Sequence, residues 1–148
     1  MTTNQIEQVK ISSTDEQYIF TKGLPGFVEL REFKLQAYNE VFSLLKSVEE
    51  PSVAFITVNP FDFYSDYEFR LSEDILEEMD ITDEAHVSVR CIVTWHSDPE
   101  KSSVNLLAPL IFNNQKFTGK QIVLQNSGYT TKQILWNESN SIRMGGDS

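Results

Sequence analysis

One cysteine, Cys91, and two histidines, His86 and His96, are all that 148 residues offer for thiol or imidazole chemistry. A single cysteine excludes an internal disulfide framework. In a strand-like run it reads as a reduced, buried small hydrophobe, which fits a cytoplasmic protein. The two histidines lie at opposite ends of one strand-like run, which is not a metal-ligand spacing. No apolar run approaches the roughly 18 residues of a membrane span. The stretch Met1 to Gln5 has no basic patch leading into an apolar segment, so no signal peptide is read. Nucleophile-elbow, P-loop and dinucleotide glycine motifs are all missing. Basic residues are scarce too, 12 against 22 acids, for a net charge of −10. That balance repels phosphate backbones and argues against direct nucleic-acid binding.

What is present is aromatic and unevenly charged. Ten Phe, five Tyr and two Trp supply the core. A chain of this length can bury roughly 68–70% of its unfolded surface, so it folds without a metal or disulfide. One domain is expected over residues 1–136, with 137–148 as a polar, glycine-containing tail. Ten acids fall between Asp62 and Glu84 and only Arg70 opposes them, so this window alone carries −9.

Most segments alternate with period two. Strands are expected at 17–22, 33–38, 53–58, 86–95, 104–108, 110–113 and 121–125, punctuated by glycine, proline and asparagine. Residues 53–58 are nearly all apolar and read as buried on both faces. Leu24-Pro25-Gly26-Phe27 suits a type II turn, whose third residue needs φ > 0. The clearest alternation runs from Phe61 to Leu71. Phe61, Phe63, Tyr67, Phe69 and Leu71 share the expected core face, while Asp62, Tyr64, Asp66, Glu68 and Arg70 face solvent. One helix is expected at about 72–80, with Ser72 as N-cap and Leu71, Ile75, Leu76 and Met79 as its apolar stripe. Its outward face stacks like charges, Glu73 with Glu77 and Asp74 with Glu78, with no nearby lysine in sequence. Many strands and one short helix predict a mainly β fold: a small antiparallel β-barrel or sandwich.

Carboxylates doing acid–base work need different surroundings to split their pKa values. Asp62, Asp66 and Glu68 share one exposed face, which weakens a hydrolase reading. The spacing Asp62-x-x-x-Asp66-x-Glu68 also lacks the glycine turn of an EF-hand. Uncompensated like charge costs folding energy and so marks functional surface. The expected partner-binding face therefore comprises Asp62, Tyr64, Asp66, Glu68, Glu73, Glu77 and Glu78, with Tyr64 as an exposed anchor. An acidic β-barrel that binds a small ligand or cation is the alternative.

Five pieces of sequence then matter together: Gly23-Leu24-Pro25-Gly26-Phe27, Phe55-Ile56-Thr57-Val58-Asn59-Pro60, Asp66-Tyr67-Glu68-Phe69, Asn105 to Leu110, and Gly119 to Leu124. In this order and spacing, over roughly residues 5 to 135, the chain resembles the FliW family of bacterial flagellar assembly factors. The stretch Tyr129-Thr130-Thr131-Lys132 follows the pattern loosely, and the tail after Trp136 looks individual. The resemblance implies a β-barrel-like domain without catalytic activity or cofactor, working in the cytoplasm; a monomer is expected. It implies two protein partners: flagellin, which it chaperones, and CsrA, an RNA-binding translational repressor that it antagonises. Accumulating flagellin recaptures the factor, which couples flagellin synthesis to export. Flagellin, through amphipathic helices, should prefer an apolar groove. The Leu24 to Phe27 turn is one candidate for it, though it reads better as a structural turn.

Overall fold

A computed structural model describes residues 15–136. The expected tail, 137–148, lies outside the described residues. Nine strands form one sheet: β1 (Glu16–Ile19), β2 (Glu32–Ala37), β3 (Phe42–Ser47), β4 (Ala54–Val58), β5 (Val87–Thr94), β6 (Ser103–Val104), β7 (Leu110–Asn113), β8 (Thr118–Gln121) and β9 (Gln133–Ile134). Their order is β4-β3-β2-β1-β8-β7-β5, and β5 pairs back onto β4, closing a seven-stranded barrel. Strands β6 and β9 extend outward from the end of β5. Every pairing is antiparallel except β1 with β8, which is parallel through Ile19 and Thr118. Two short helices, α1 (Pro60–Phe63) and α2 (Glu73–Glu78), lie between β4 and β5.

Strand alternation sorts the apolar residues into two cores. The barrel interior holds Phe20, Phe33, Leu45, Leu110 and Phe112, all fully buried. Phe20 sits edge-on to both Phe33, at 5.2 Å between centroids, and Phe112, at 5.8 Å. Gly119 is demanded by this stack, because a Cβ there would stand 2.4 Å from the Phe20 ring. The second core lies on the outer face of β4 and β5. There Val58, Cys91 and Val93 are covered by Phe63, Tyr67, Val104, Leu106, Leu124 and Leu135. The Tyr67 hydroxyl donates to the Leu106 carbonyl oxygen at 2.7 Å inside this layer.

The type II reading of the first turn holds: Gly26 has φ +86° and the Phe27 amide donates to Leu24 O. Leu24 is buried and Phe27 packs edge-on to Phe55, so this turn is part of the barrel rather than a docking groove.

The expected strand at 61–71 is not a strand. The Asn59 side chain accepts from the Phe61 amide and Pro60 opens a helical turn, so Phe61 and Phe63 separate. Phe61 is 44% exposed and Phe63 is 1% exposed. From Asp66 to Leu71 the period-two burial persists, but no neighbouring strand forms a ladder with it. Strand β3 and the pair-long β9 were not expected. The segment expected at 121–125 pairs instead at 118–121, and that at 104–108 shortens to Ser103–Val104 because the Asn105 side chain accepts from the Ala108 amide. Of 53–58, only Thr57 and Val58 are fully buried.

Candidate functional site: an acidic groove over the end of β5

Helix α2 forms where the sequence places it. Ser72 Oγ accepts from the Ile75 amide at 3.2 Å, and Glu73 and Asp74 occupy the first turn, where acids favour the dipole. The helix ends in a Schellman motif: the Ile81 amide donates to Leu76 O and the Asp80 amide to Glu77 O, with Asp80 at φ +55°. The buried Asn113 amide donates to Met79 O at 2.9 Å and to Asp80 O at 3.2 Å, tying the helix end to β7. Asp83 then caps the turn at 84–86 by accepting from the Ala85 amide.

These pieces frame an open groove of about 890 Å³. Its floor is Val87 and Val89, the outward residues of β5 that continue the row of Cys91 and Val93. Phe61, Phe69 and Leu71 form one wall, and Leu76 and Ile81 the other. On the rim stand Glu68, Glu73, Asp83 and Glu84, opposed among the described lining residues by Arg70 alone. Glu68, Phe69, Arg70 and Ser72 form a ridge. Beyond it a second open groove, about 1010 Å³, is bordered by Ile75 and residues 120–127 with Tyr129.

The expected acidic face does not survive as one surface. Glu68 and Glu73 reach the groove, and Asp62, Asp66 and Glu77 are exposed. Tyr64 is not an outward anchor: it is half-buried against the outer core, and its hydroxyl donates to the Ile134 carbonyl oxygen. Glu78 is not an uncompensated acid. Lys120 lies 3.1 Å and Lys22 3.5 Å from its carboxylate, and the hydrogen bond from Lys120 holds its pKa below the ordinary carboxylate value. Lys116 likewise pairs with Asp80 at 3.1 Å. These lysines come from β1, β8 and their neighbours, far from the helix in sequence. Asp83 and Glu84 lie in the acidic window but were not assigned to the face, because the turn at 84–86 that carries them to the rim was not expected.

Two buried polar groups are structural. The Arg90 Nε donates to Thr57 Oγ1 at 2.7 Å and its Nη2 to Thr57 O at 3.2 Å, and burial lowers its pKa. The Cys91 thiol is fully buried, and burial pushes its pKa up to about 12, so it is not a nucleophile. Among the described residues no group of three or more His, Cys, Asp or Glu could hold a metal ion. Aromatic side chains pack the barrel interior, and the two grooves described lie on the surface. No helix among the described residues is long and apolar enough to cross a membrane.

Comparison with known proteins agrees with this architecture. A family model described as FliW protein matches residues 1–135. The flagellar assembly factor FliW of Bacillus subtilis is 43% identical over 128 residues, covering 84% of this chain and 90% of that protein. The same factor from Clostridium novyi is 41% identical, covering 80% and 85%. A crystal structure of the flagellar assembly factor FliW superposes with a TM-score of 0.80 at 35% identity, covering 83% of this chain and 87% of that one. By sequence family, by close relatives and by fold, this chain belongs to the FliW family.

Proposed function

We propose that this protein is a non-catalytic flagellar assembly factor that works in the cytoplasm by switching between two protein partners. It holds flagellin before export, and it binds the translational repressor CsrA and relieves repression. Residues 1–136 are the working domain in this reading. The observation that carries it is the acid-rimmed surface around the groove, with Arg70 its one opposing cation. A repressor that contacts RNA phosphates must present basic surface. Acids at Glu68, Glu73, Asp83 and Glu84 on the rim, and the exposed Asp62, Asp66 and Glu77, attract such a surface and repel its RNA. Glu78 is set apart from this role by its two lysines.

Capture from cytoplasmic extract tests the reading. The intact protein should recover flagellin and a small basic RNA-binding repressor. Recovery of the repressor should fall as salt rises. Reversing Glu68, Glu73 and Glu77 to Lys should abolish repressor capture and leave the melting temperature within a few degrees. Recovery of neither partner by the intact protein would refute the proposal.

A further inference from the structure

The groove borders the end of the β4–β5 ladder. In β5 the even-numbered residues direct their backbone groups toward β7 and β6: Asn114 N–H donates to His86 O, Asn105 N–H donates to Ile92 O, and Ser88 and Arg90 pair with Phe112 and Leu110. The odd-numbered residues therefore point the other way, where Cys91 and Val93 meet Val58 and Ile56 of β4. Strand β4 ends opposite Cys91, because Asn59-Pro60 turns the chain into α1. Val87 and Val89 lie beyond that end. The Val87 amide is used by Glu84 O. The Val87 carbonyl and both backbone groups of Val89 lie on the β4 side past the end of the ladder, beside the turn Pro60–Phe63, and among the described residues no backbone bond outside the ladders uses them.

We propose that an extended segment of a partner protein adds here as a short antiparallel strand on β5, taking up the line of β4. This rests on the reading of the chain as a partner-binding factor. Three features converge on one occupant. Backbone groups of Val87 and Val89 supply strand-addition bonds. Apolar walls at Phe61, Leu71 and Leu76 receive every second side chain. The rim acids Glu68, Glu73, Asp83 and Glu84 select lysine or arginine at those same positions, with the alkyl stems against the walls. The occupant is thus an extended peptide with lysine or arginine at every second residue.

The test uses the full chain, isotope-labelled, titrated with a twelve-residue peptide of alternating valine and lysine. The expected result is shifts concentrated at Val87, Val89, Leu76 and Phe61, with the Val89 amide gaining protection from hydrogen exchange. A peptide N-methylated at alternate residues keeps its side chains but loses its donors, and should bind at least about tenfold weaker. Equal binding of the N-methylated peptide would mean side-chain docking, as by a helix, and would overturn strand addition. Equal binding of a valine–glutamate peptide would overturn the charge selection. Shifts confined to the second groove, or no binding, would overturn the site. Capture with the Leu76→Lys variant separates this idea from the partner assignment. Unchanged recovery of flagellin and repressor leaves that assignment standing and removes the groove. A peptide that maps to the groove while the intact protein recovers neither partner does the reverse.

Discussion

The barrel interior and the layer outside the β4–β5 wall are made of similar side chains but are closed by different means. Inside, Phe20, Phe33 and Phe112 are enclosed by strands that hydrogen-bond to one another around a full circle. Outside, Val58, Cys91 and Val93 are covered by a helical turn, an extended segment without a ladder, and two strands of two residues each. The circle leaves no room for choice. The outer cover stops short and leaves Val87 and Val89 as the floor of an open groove. A closed ladder makes the fold and an incomplete cover makes the site.

The sharpest way to break this contrast is to truncate one aromatic on each side. Phe20→Ala removes a fully buried ring between two others and should cost about 3–5 kcal/mol. Phe61→Ala, 44% exposed at the groove wall, should cost under about 1 kcal/mol while weakening partner capture. Chemical denaturation of both variants reads the difference, and equal costs would erase the distinction.

Polar satisfaction in the outer layer comes next. Tyr67→Phe leaves the buried Leu106 carbonyl without its 2.7 Å donor and should cost about 1–3 kcal/mol in a urea melt. The same change should speed alkylation of Cys91, whose thiol lies 3.9 Å from that hydroxyl, because local opening is the route to a buried group. Unaltered labelling would mean that Cys91 is reached only by global unfolding.

The smallest effect belongs to the Glu78 contacts that tie α2 to the barrel. Its pKa is lowered in the folded state, chiefly by the Lys120 hydrogen bond. The sign follows from linkage: the stabilisation is full above the ordinary glutamate value and is lost as pH falls through the lower folded value. Melting temperatures of the wild type and Glu78→Gln should therefore differ slightly at pH 7 and converge as pH falls below the ordinary glutamate range. Because the pair is exposed, salt should shrink the difference at neutral pH. Divergence at low pH would reverse the assignment.

The legibility of these regions from sequence differs for physical reasons. Leu110–Asn113 and the capped helix after Ser72 are local events, set by apolar spacing and one side-chain cap, and the sequence carries both. Phe61 to Leu71 misled because alternating burial needs only one covered side, whereas a strand needs a neighbour. Asn59-Pro60 was the signal for the helical turn, and it also ends β4. β3 escaped notice because most of its residues are half-buried on both faces and its pattern is shallow. The groove was harder still. The strand that carries the row Val87, Val89, Cys91 and Val93 was expected, but what covers half of that row comes from segments separated in sequence. Glu78 was taken for an unpaired acid because Lys22 and Lys120 are distant along the chain.

The parallel seam between β1 and β8 has a consequence for the order of events at the ribosome. It joins Ile19 to Thr118, and the Tyr18 hydroxyl donates to Asn114 across 96 positions. The meander β2–β3–β4 can pair as it emerges, since its turns are local. The seam cannot close until the chain has been synthesised past Gln121. During that interval the first strand has no partner on one edge, and the interior aromatics wait for Phe112. Slowing translation anywhere between β1 and Gln121 should therefore lengthen the time for which a chaperone can bind the nascent chain.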